Sequence, residues 1–234
     1  MVIFIKARSS FFRPSSWVAS RFIALILGVW ILLFLSHATR AGTEKEAETE
    51  KKNDVYLSLY ALGSWPSNRE AFFLTGKAAD TKVGNGAGAG LKVAIFPSVV
   101  NGFLGIELES FGHSSNITFP LTAGTVARTN LWVFNSMANL ILRYPEAPVI
   151  PYIGIGGGLS QGVLTSPNIP GRPDQDFESS STFGYQLFAG VQSNISRRLF
   201  VFGEYKYLSA NYHWERLSLE FRSQYGLVGV GLRF

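Results

Sequence analysis

Apolar and polar residues alternate with a period of two in eight separate stretches of this chain. In the last stretch, residues 224–234, the bulky apolar residues Val228, Val230, Leu232 and Phe234 fall on one face. The other face includes Leu227, Gly229, Gly231 and Arg233, so it is smaller and carries one charge. Successive side chains of a strand point to opposite sides of its sheet, so each stretch is predicted to be a β-strand. The other seven stretches are Val55–Gly63, Gly86–Phe96, Gly102–Gly112, Leu131–Tyr144, Val149–Ser160, Thr182–Gln192 and Leu199–Ala210.

The connections between these predicted strands alternate in length. Short turns occupy residues 97–101, 145–148 and 193–198, whereas longer loops occupy 64–85, 113–130, 161–181 and 211–223. This alternation is typical of outer-membrane barrels, and each stretch supplies about the 9–11 residues that a tilted spanning strand needs. We predict an all-β fold, an eight-stranded antiparallel transmembrane up-and-down β-barrel. Its last strand would pair with its first and leave no open edge.

Two features of this pattern allow other interpretations. A soluble lipocalin-like barrel has a similar alternation but turns its apolar faces inward. Within the long loop 211–223, Leu217, Leu219 and Phe221 share a parity opposite to that of Val228 and Val230. We interpret this as a hairpin that stands above the membrane, with a β-bulge near Gly226 that changes the face.

The first 53 residues differ from the rest. A basic segment is followed by Phe22–Leu35, a run of 14 apolar residues, and then by small residues up to Ala41. This predicts a signal peptide over 1–41, cleaved after Ala38 or Ala41, although a retained N-terminal anchor is the alternative. Residues 42–53 are charged and lack apolar periodicity, so they are predicted to be a disordered tail. The barrel is predicted to occupy 54–234.

Charge and composition narrow the functional classes. Of the 21 basic residues, five lie before residue 42, where there is no acidic residue, so the remainder carries 16 of each sign. The net charge of +5 therefore belongs to the targeting segment and does not indicate nucleic-acid binding. The chain has no cysteine and three widely spaced histidines, so neither a metal nor another cofactor is expected.

The eight strands, the alternating loops and the terminal Phe234 resemble the small outer-membrane barrels of OmpA, OmpX and opacity-protein type. The segment Pro151–Gly156 is similar to a Pro-Tyr-x-Gly-x-Gly strand of those families. Gly229, Leu232 and Phe234 match part of the C-terminal signal that such proteins show to the barrel-assembly machinery. Leu227 departs from it, because a polar residue is usual there. The resemblance implies a Gram-negative outer membrane, with its lipid and lipopolysaccharide as partners.

Seven charged residues share the polar faces of the predicted strands. If the apolar faces meet lipid, these side chains point into a narrow lumen, where each needs a partner of opposite charge. We expect them to form a salt-bridged interior plug, which either only closes the barrel or gates a narrow pore. The seven residues are Lys92, Glu107, Glu109, Arg143, Glu204, Lys206 and Arg233.

One short motif raises an enzymatic alternative. His113-Ser114-Ser115-Asn116 resembles the catalytic stretch of outer-membrane lipid A deacylases, in which His and Ser act with a Glu. Here no acidic residue lies between Asn116 and Arg143, so the third member is missing. The sequence therefore favours a non-enzymatic barrel with a structural or surface-interaction role in adhesion or membrane integrity, with possible external ligands on its loops. A gated porin-like channel is the runner-up.

Overall fold

The computed structural model describes residues 53–67, 71–73, 76–78, 82–120, 126–165, 177–214 and 217–234. The predicted signal peptide, 1–41, and all of the predicted tail except Asn53 lie outside these residues. The side chain of Asn53 accepts a hydrogen bond from the backbone N–H of Ser98, at 2.9 Å. In the described part of the chain, no helix is long and apolar enough to cross a membrane.

Eleven strands form one antiparallel sheet in the described residues. Eight of them are long, and β2, β3 and β4 are short strands in the first long loop. In chain order they are β1 (Asp54–Pro66), β2 (Ala71–Phe73), β3 (Gly76–Ala78), β4 (Lys82–Val83), β5 (Gly86–Phe96), β6 (Leu104–Pro120), β7 (Val126–Arg143), β8 (Val149–Thr165), β9 (Phe177–Asn194), β10 (Leu199–His213) and β11 (Leu217–Arg233).

The eight long strands close into a barrel. Each pairs with its neighbour in sequence, and β11 pairs with β1 from Tyr56 opposite Arg233 to Pro66 opposite Ser223. The predicted eight-stranded antiparallel barrel is therefore confirmed. One end, here called the turn end, carries the short connections and the ion pair between Asp54 on β1 and Arg233 on β11. The opposite end is called the loop end.

The residues of the first short turn suit its backbone conformation. Residues 98–100 form one turn of 3-10 helix, and Asn101 and Gly102 follow with φ of 52° and 72°. These positive φ values lie in the left-handed region, which glycine adopts freely and asparagine tolerates. The turn returns the chain directly into β6.

The outer face of the barrel is apolar around its circumference. Large side chains such as Leu59, Ile155 and Val228 are 59%, 59% and 68% exposed, which would be costly in water but suits lipid. Exposed aromatic residues flank this band, with Trp65 and Trp132 toward the loop end and Phe234 toward the turn end. The outward apolar faces rule out the lipocalin-like alternative.

Seven of the eight long strands are longer than the sequence pattern predicts, whereas β5 has the predicted bounds, Gly86–Phe96. Much of each predicted long loop is strand, so that β6 continues to Pro120 and β7 already begins at Val126. On these extensions the outward residues are mostly polar, as at Asn116 and Asn130, whereas large apolar residues such as Ile117 and Leu164 point inward beside small polar ones. The extensions therefore have the pattern of a water-soluble barrel.

The predicted hairpin is present, because β10 and β11 pair as far as His213 opposite Ser218, but the bulge predicted near Gly226 is wrong. Strand β11 runs without a break past Gly226, and its register with β10 holds from Leu232 to Ser218. Leu219 and Phe221 point into the barrel and are 3% and 1% exposed. The parity does not change; the surroundings do, because beyond the membrane water lies outside and apolar side chains must turn inward.

These inward side chains fill the loop end of the barrel. We call them the loop-end core, and they bury large apolar and aromatic groups against one another. Tyr212 and Phe221 are typical, with ring centroids 5.8 Å apart. Its members include Ile117, Leu131, Leu164, Leu208, Tyr212, Leu219, Phe221 and Tyr225.

Candidate functional site

Five ionisable side chains meet in the middle of the barrel. Lys92 on β5 lies directly opposite Glu109 on β6, and Glu107 is two residues away on the same face. Glu204 and Lys206 come from β10, across the lumen. All five are at most 5% exposed. We call this group the central network.

Each lysine of the central network contacts more than one carboxylate. Lys92 Nζ lies 2.6 Å from Glu204 Oε2, 3.5 Å from Glu107 Oε1 and 3.6 Å from Glu109 Oε1. Lys206 pairs with Glu109 and lies 3.4 Å from Glu204 Oε1. These ion pairs join the wall formed by β5 and β6 to the opposite wall formed by β10.

Neutral side chains satisfy most of the remaining carboxylate oxygens. The hydroxyls of Tyr60 and Tyr152 donate to Glu109 and Glu204 at 2.5 Å and 3.0 Å. Tyr56 donates to Glu107 at 3.3 Å, and Asn139 donates to the same carboxylate at 2.9 Å. Gln186 donates to Glu109 at 2.7 Å. Such donors offset the loss of water around buried charges.

Two glycines give the tyrosines room to reach the network. A Cβ on Gly90 would overlap the ring of Tyr60, and one on Gly190 would lie 2.5 Å from the hydroxyl of Tyr152. Each ring therefore lies across a position that only glycine can occupy. Aromatic rings also surround the cations, since Lys92 Nζ is 5.1 Å from the ring centroid of Phe188 and 5.6 Å from that of Phe202.

The structure places the other two predicted charges elsewhere. Arg143 and Arg233 lie at the turn end, where both contact Asp54 at the start of β1, at 2.6 Å and 2.9 Å. We call these three residues the turn-end triad. Arg143 also donates to the carbonyl of Gly102 at 2.8 Å and lies 3.6 Å from the ring centroid of Phe96.

The two groups carry opposite net charges. The central network has three carboxylates and two ammonium groups, whereas the turn-end triad has two guanidinium groups and one carboxylate. Together the eight side chains are neutral. Tyr56 lies between them, because its ring contacts Phe96 and Phe200 while its hydroxyl reaches Glu107.

Little free space adjoins the central network. A cavity of about 10 Å³ lies beside Ser58, Glu107 and Lys92. This is roughly the space that one water molecule needs. The hydroxyl of Ser58 lines the cavity and has no hydrogen-bond partner among the described residues.

The enzymatic motif does not assemble a catalytic group in the described residues. His113 and Ser115 both face the barrel interior and are 1% and 4% exposed, so neither is presented to lipid. The imidazole packs against Phe221 and Tyr225, with ring centroids 6.1 Å and 5.3 Å away. Neither His113 nitrogen has a hydrogen-bond partner in this part of the chain.

The three residues of the predicted assembly signal occupy β11 and its end. Leu232 and Phe234 point outward and are 48% and 60% exposed. Gly229 points inward, where a Cβ would lie 2.6 Å from both Phe202 and Tyr60. Phe234 is tied to the first strand, because its N–H donates to the carbonyl of Val55 at 2.9 Å.

Sequence reasoning missed several members of the site. Tyr56, Tyr60 and Tyr152 lie on the polar faces of their strands, as the charged residues do. This shared parity could have identified them as residues that point into the lumen. Asp54 was missed because it directly precedes the predicted first strand. Only the pairing of β1 with β11 brings it to Arg233.

A closed antiparallel barrel with an apolar outer face and buried ion pairs in its lumen defines a β-barrel membrane protein. The family model of the outer membrane protein beta-barrel domain matches residues 31–234, so the chain belongs to that family. The chain is accordingly a protein of the outer membrane.

Solved structures agree with this fold. The chain is similar to Neisserial surface protein A (NspA), with a TM-score of 0.50 and 15% identity over 77% of this chain and 97% of that one. It is also similar to OprG from Pseudomonas aeruginosa, with a TM-score of 0.57 and 13% identity over 79% and 97%. A comparison with curated protein sequences gives no match.

Proposed function

We propose that this protein is a closed structural barrel of the Gram-negative outer membrane that presents its loop end for surface interactions. The observation that carries this proposal is that side chains fill the lumen at two levels along the barrel axis. The central network joins opposite walls of the barrel, and the loop-end core fills the lumen beyond it. An eight-stranded barrel is only wide enough for its own side chains, so two filled layers leave no route for ions.

The proposed orientation follows the architecture of outer-membrane barrels. Short turns face the periplasm in such proteins and longer connections face outside. The strand extensions then form a rigid cylinder above the membrane, with a polar outer surface that adhesion partners or other external ligands contact. The aromatic residues at the edges of the apolar band contact membrane lipid and lipopolysaccharide. Gly229, Leu232 and Phe234 are the proposed signal for the barrel-assembly machinery.

Planar-bilayer conductance of the mature chain tests the closed lumen. Heat-dependent gel mobility first establishes that the refolded sample is a closed barrel. We expect no conductance from wild type. We also expect none from a variant with Glu107, Glu109 and Glu204 changed to Gln, because the loop-end core still blocks the lumen. Stable single-channel steps from correctly folded wild type would overturn the proposal.

The second candidate, a gated narrow channel, has one observation in its favour. Lys92 lies within 3.6 Å of all three carboxylates of the central network, so it can exchange partners without leaving the group. A gate of this kind requires the loop-end core to open as well. Conductance that appears only when the glutamates are neutralised would favour this candidate.

A further inference from the structure

Five glycines point outward from the long strands described by the structure, and four of them are covered by an aromatic ring. Trp65 covers Gly63 and Gly226, with ring atoms 3.3 Å and 3.1 Å from the position of a Cβ. Phe134 covers Gly112 at 2.9 Å, and Phe183 covers Gly157 at 2.7 Å. A ring of this kind shields backbone that a glycine would otherwise leave bare.

Gly203 is the exception among these five. The nearest atom to its Cβ position is the carbonyl oxygen of Leu227, at 4.0 Å, and no ring lies over it. Its partners on the neighbouring strands are Val191 and Val228, which are short side chains that do not reach across. The result is a groove of about 490 Å³, the Gly203 groove. Its outward walls also include Val149, Val201 and Val230.

The Gly203 groove is continuous with the lipid-facing surface. Its valines belong to the apolar outer band, where Val191, Val228 and Val230 are 50%, 68% and 51% exposed. Ser193, close to the short turn between β9 and β10, lines the groove as well, so it lies in the half of the barrel nearer the turn end. Whatever covers Gly203 must therefore come from within the membrane.

We propose that the Gly203 groove is a specific docking site for one acyl chain of a membrane phospholipid. A flexible hydrocarbon chain can follow a concave wall of valines and gain the contacts that an unfilled groove forfeits. A second copy of the protein fits less well. Ten residues line the groove, whereas a stable protein interface uses about 20–30 residues on each side.

The assignment to phospholipid rests on the proposed orientation. With the turn end on the periplasmic side, the groove faces the inner leaflet, which contains phospholipid. In the opposite orientation the same groove would meet acyl chains of lipopolysaccharide. The headgroup of the retained lipid therefore tests the orientation separately from the groove.

Native mass spectrometry of the mature barrel, released from nanodiscs that contain both phospholipid and lipopolysaccharide, tests the proposal. Gly203→Leu fills the groove with a side chain, and Ala89→Leu adds the same bulk to an exposed position on β5 as a control. We expect one retained phospholipid on wild type and on the control. We expect several-fold lower retention on Gly203→Leu. Heat-dependent gel mobility confirms that all three fold.

Three other results would overturn the docking site, and a fourth would overturn only the proposed orientation. Equal retention by the three proteins, or no retained lipid on wild type, would overturn the docking site. A wild-type dimer that Gly203→Leu converts to monomer would also overturn it, in favour of a second copy. Retained lipopolysaccharide that is lost in Gly203→Leu would support docking of an acyl chain while overturning the proposed orientation.

Discussion

The central network and the loop-end core fill the same barrel with opposite chemistry. In the network, five charged side chains are buried within the membrane-spanning part. In the core, groups such as Leu131, Leu164 and Tyr212 are fully buried with 0% exposure, although water surrounds that part of the barrel. The outer surroundings explain the difference. Lipid accepts the apolar faces and leaves polar ones for the lumen, whereas water requires the reverse.

The two regions also stabilise the barrel in different ways. Burying charges costs desolvation that ion pairs and hydrogen bonds largely offset, so the network adds little net stability while intact. The loop-end core gains free energy directly from buried apolar area. Breaking one ion pair should therefore cost more than removing one core side chain. The free energies of unfolding that test this ordering can be measured by denaturant unfolding in detergent, monitored by tryptophan fluorescence.

The largest effect is expected from Lys92→Met. This substitution leaves three buried carboxylates with one lysine, and an uncompensated buried charge costs about 3–5 kcal/mol. The double variant Lys92→Met/Glu204→Gln removes the closest partner as well, so it should recover much of the loss. If the double variant is less stable than the single one, the charges do not act as a network.

A smaller effect is expected from Leu219→Ala. Leu219 is buried in the loop-end core, so the free energy of unfolding should fall by about 2–4 kcal/mol. Its neighbour Ser218 faces outward, and Ser218→Ala serves as the matched control with a change within about 0.5 kcal/mol. Equal, small effects at both positions would contradict the burial of Leu219 in the loop-end core.

Asp54→Asn should have a moderate effect at the turn end. It leaves Arg143 without its carboxylate partner, at a cost of about 1–2 kcal/mol. Because the side chains of Asp54 and Arg233 are 20% and 26% exposed, added salt should reduce the difference from wild type. Glu146→Gln, at an exposed turn position, is the control. A loss that salt does not reduce would contradict a partly exposed ion pair.

The smallest effect is expected from His113→Leu. The imidazole nitrogens have no hydrogen-bond partner in the described residues, so an apolar side chain of similar size forfeits no bond. Stability should change by less than about 1 kcal/mol or increase. His113→Asn, which keeps a polar group there, is the companion variant. A large loss with His113→Leu and none with His113→Asn would show that bound water satisfies this position.

Period-two alternation predicted much of the fold. The eight strands followed from parity, and the alternating lengths of their connections favoured a membrane barrel in which residues such as Ile155 and Val228 point outward. The extensions beyond the membrane did not, because their apolar residues keep the parity of the inward face. Leu219 and Phe221 illustrate this, since the same parity carries polar residues within the membrane and apolar ones beyond it.

The sequence also determined which charged residues occur on inward faces, because parity is a local property of a strand. Only the tertiary structure decided which of them meet. Strand stagger around the closed barrel brings Glu204 to Lys92, 112 positions apart in the chain, and carries Arg143 and Arg233 to Asp54 instead. Alternation fixes the side of a strand, whereas height along the barrel axis depends on register and closure between strands distant in sequence.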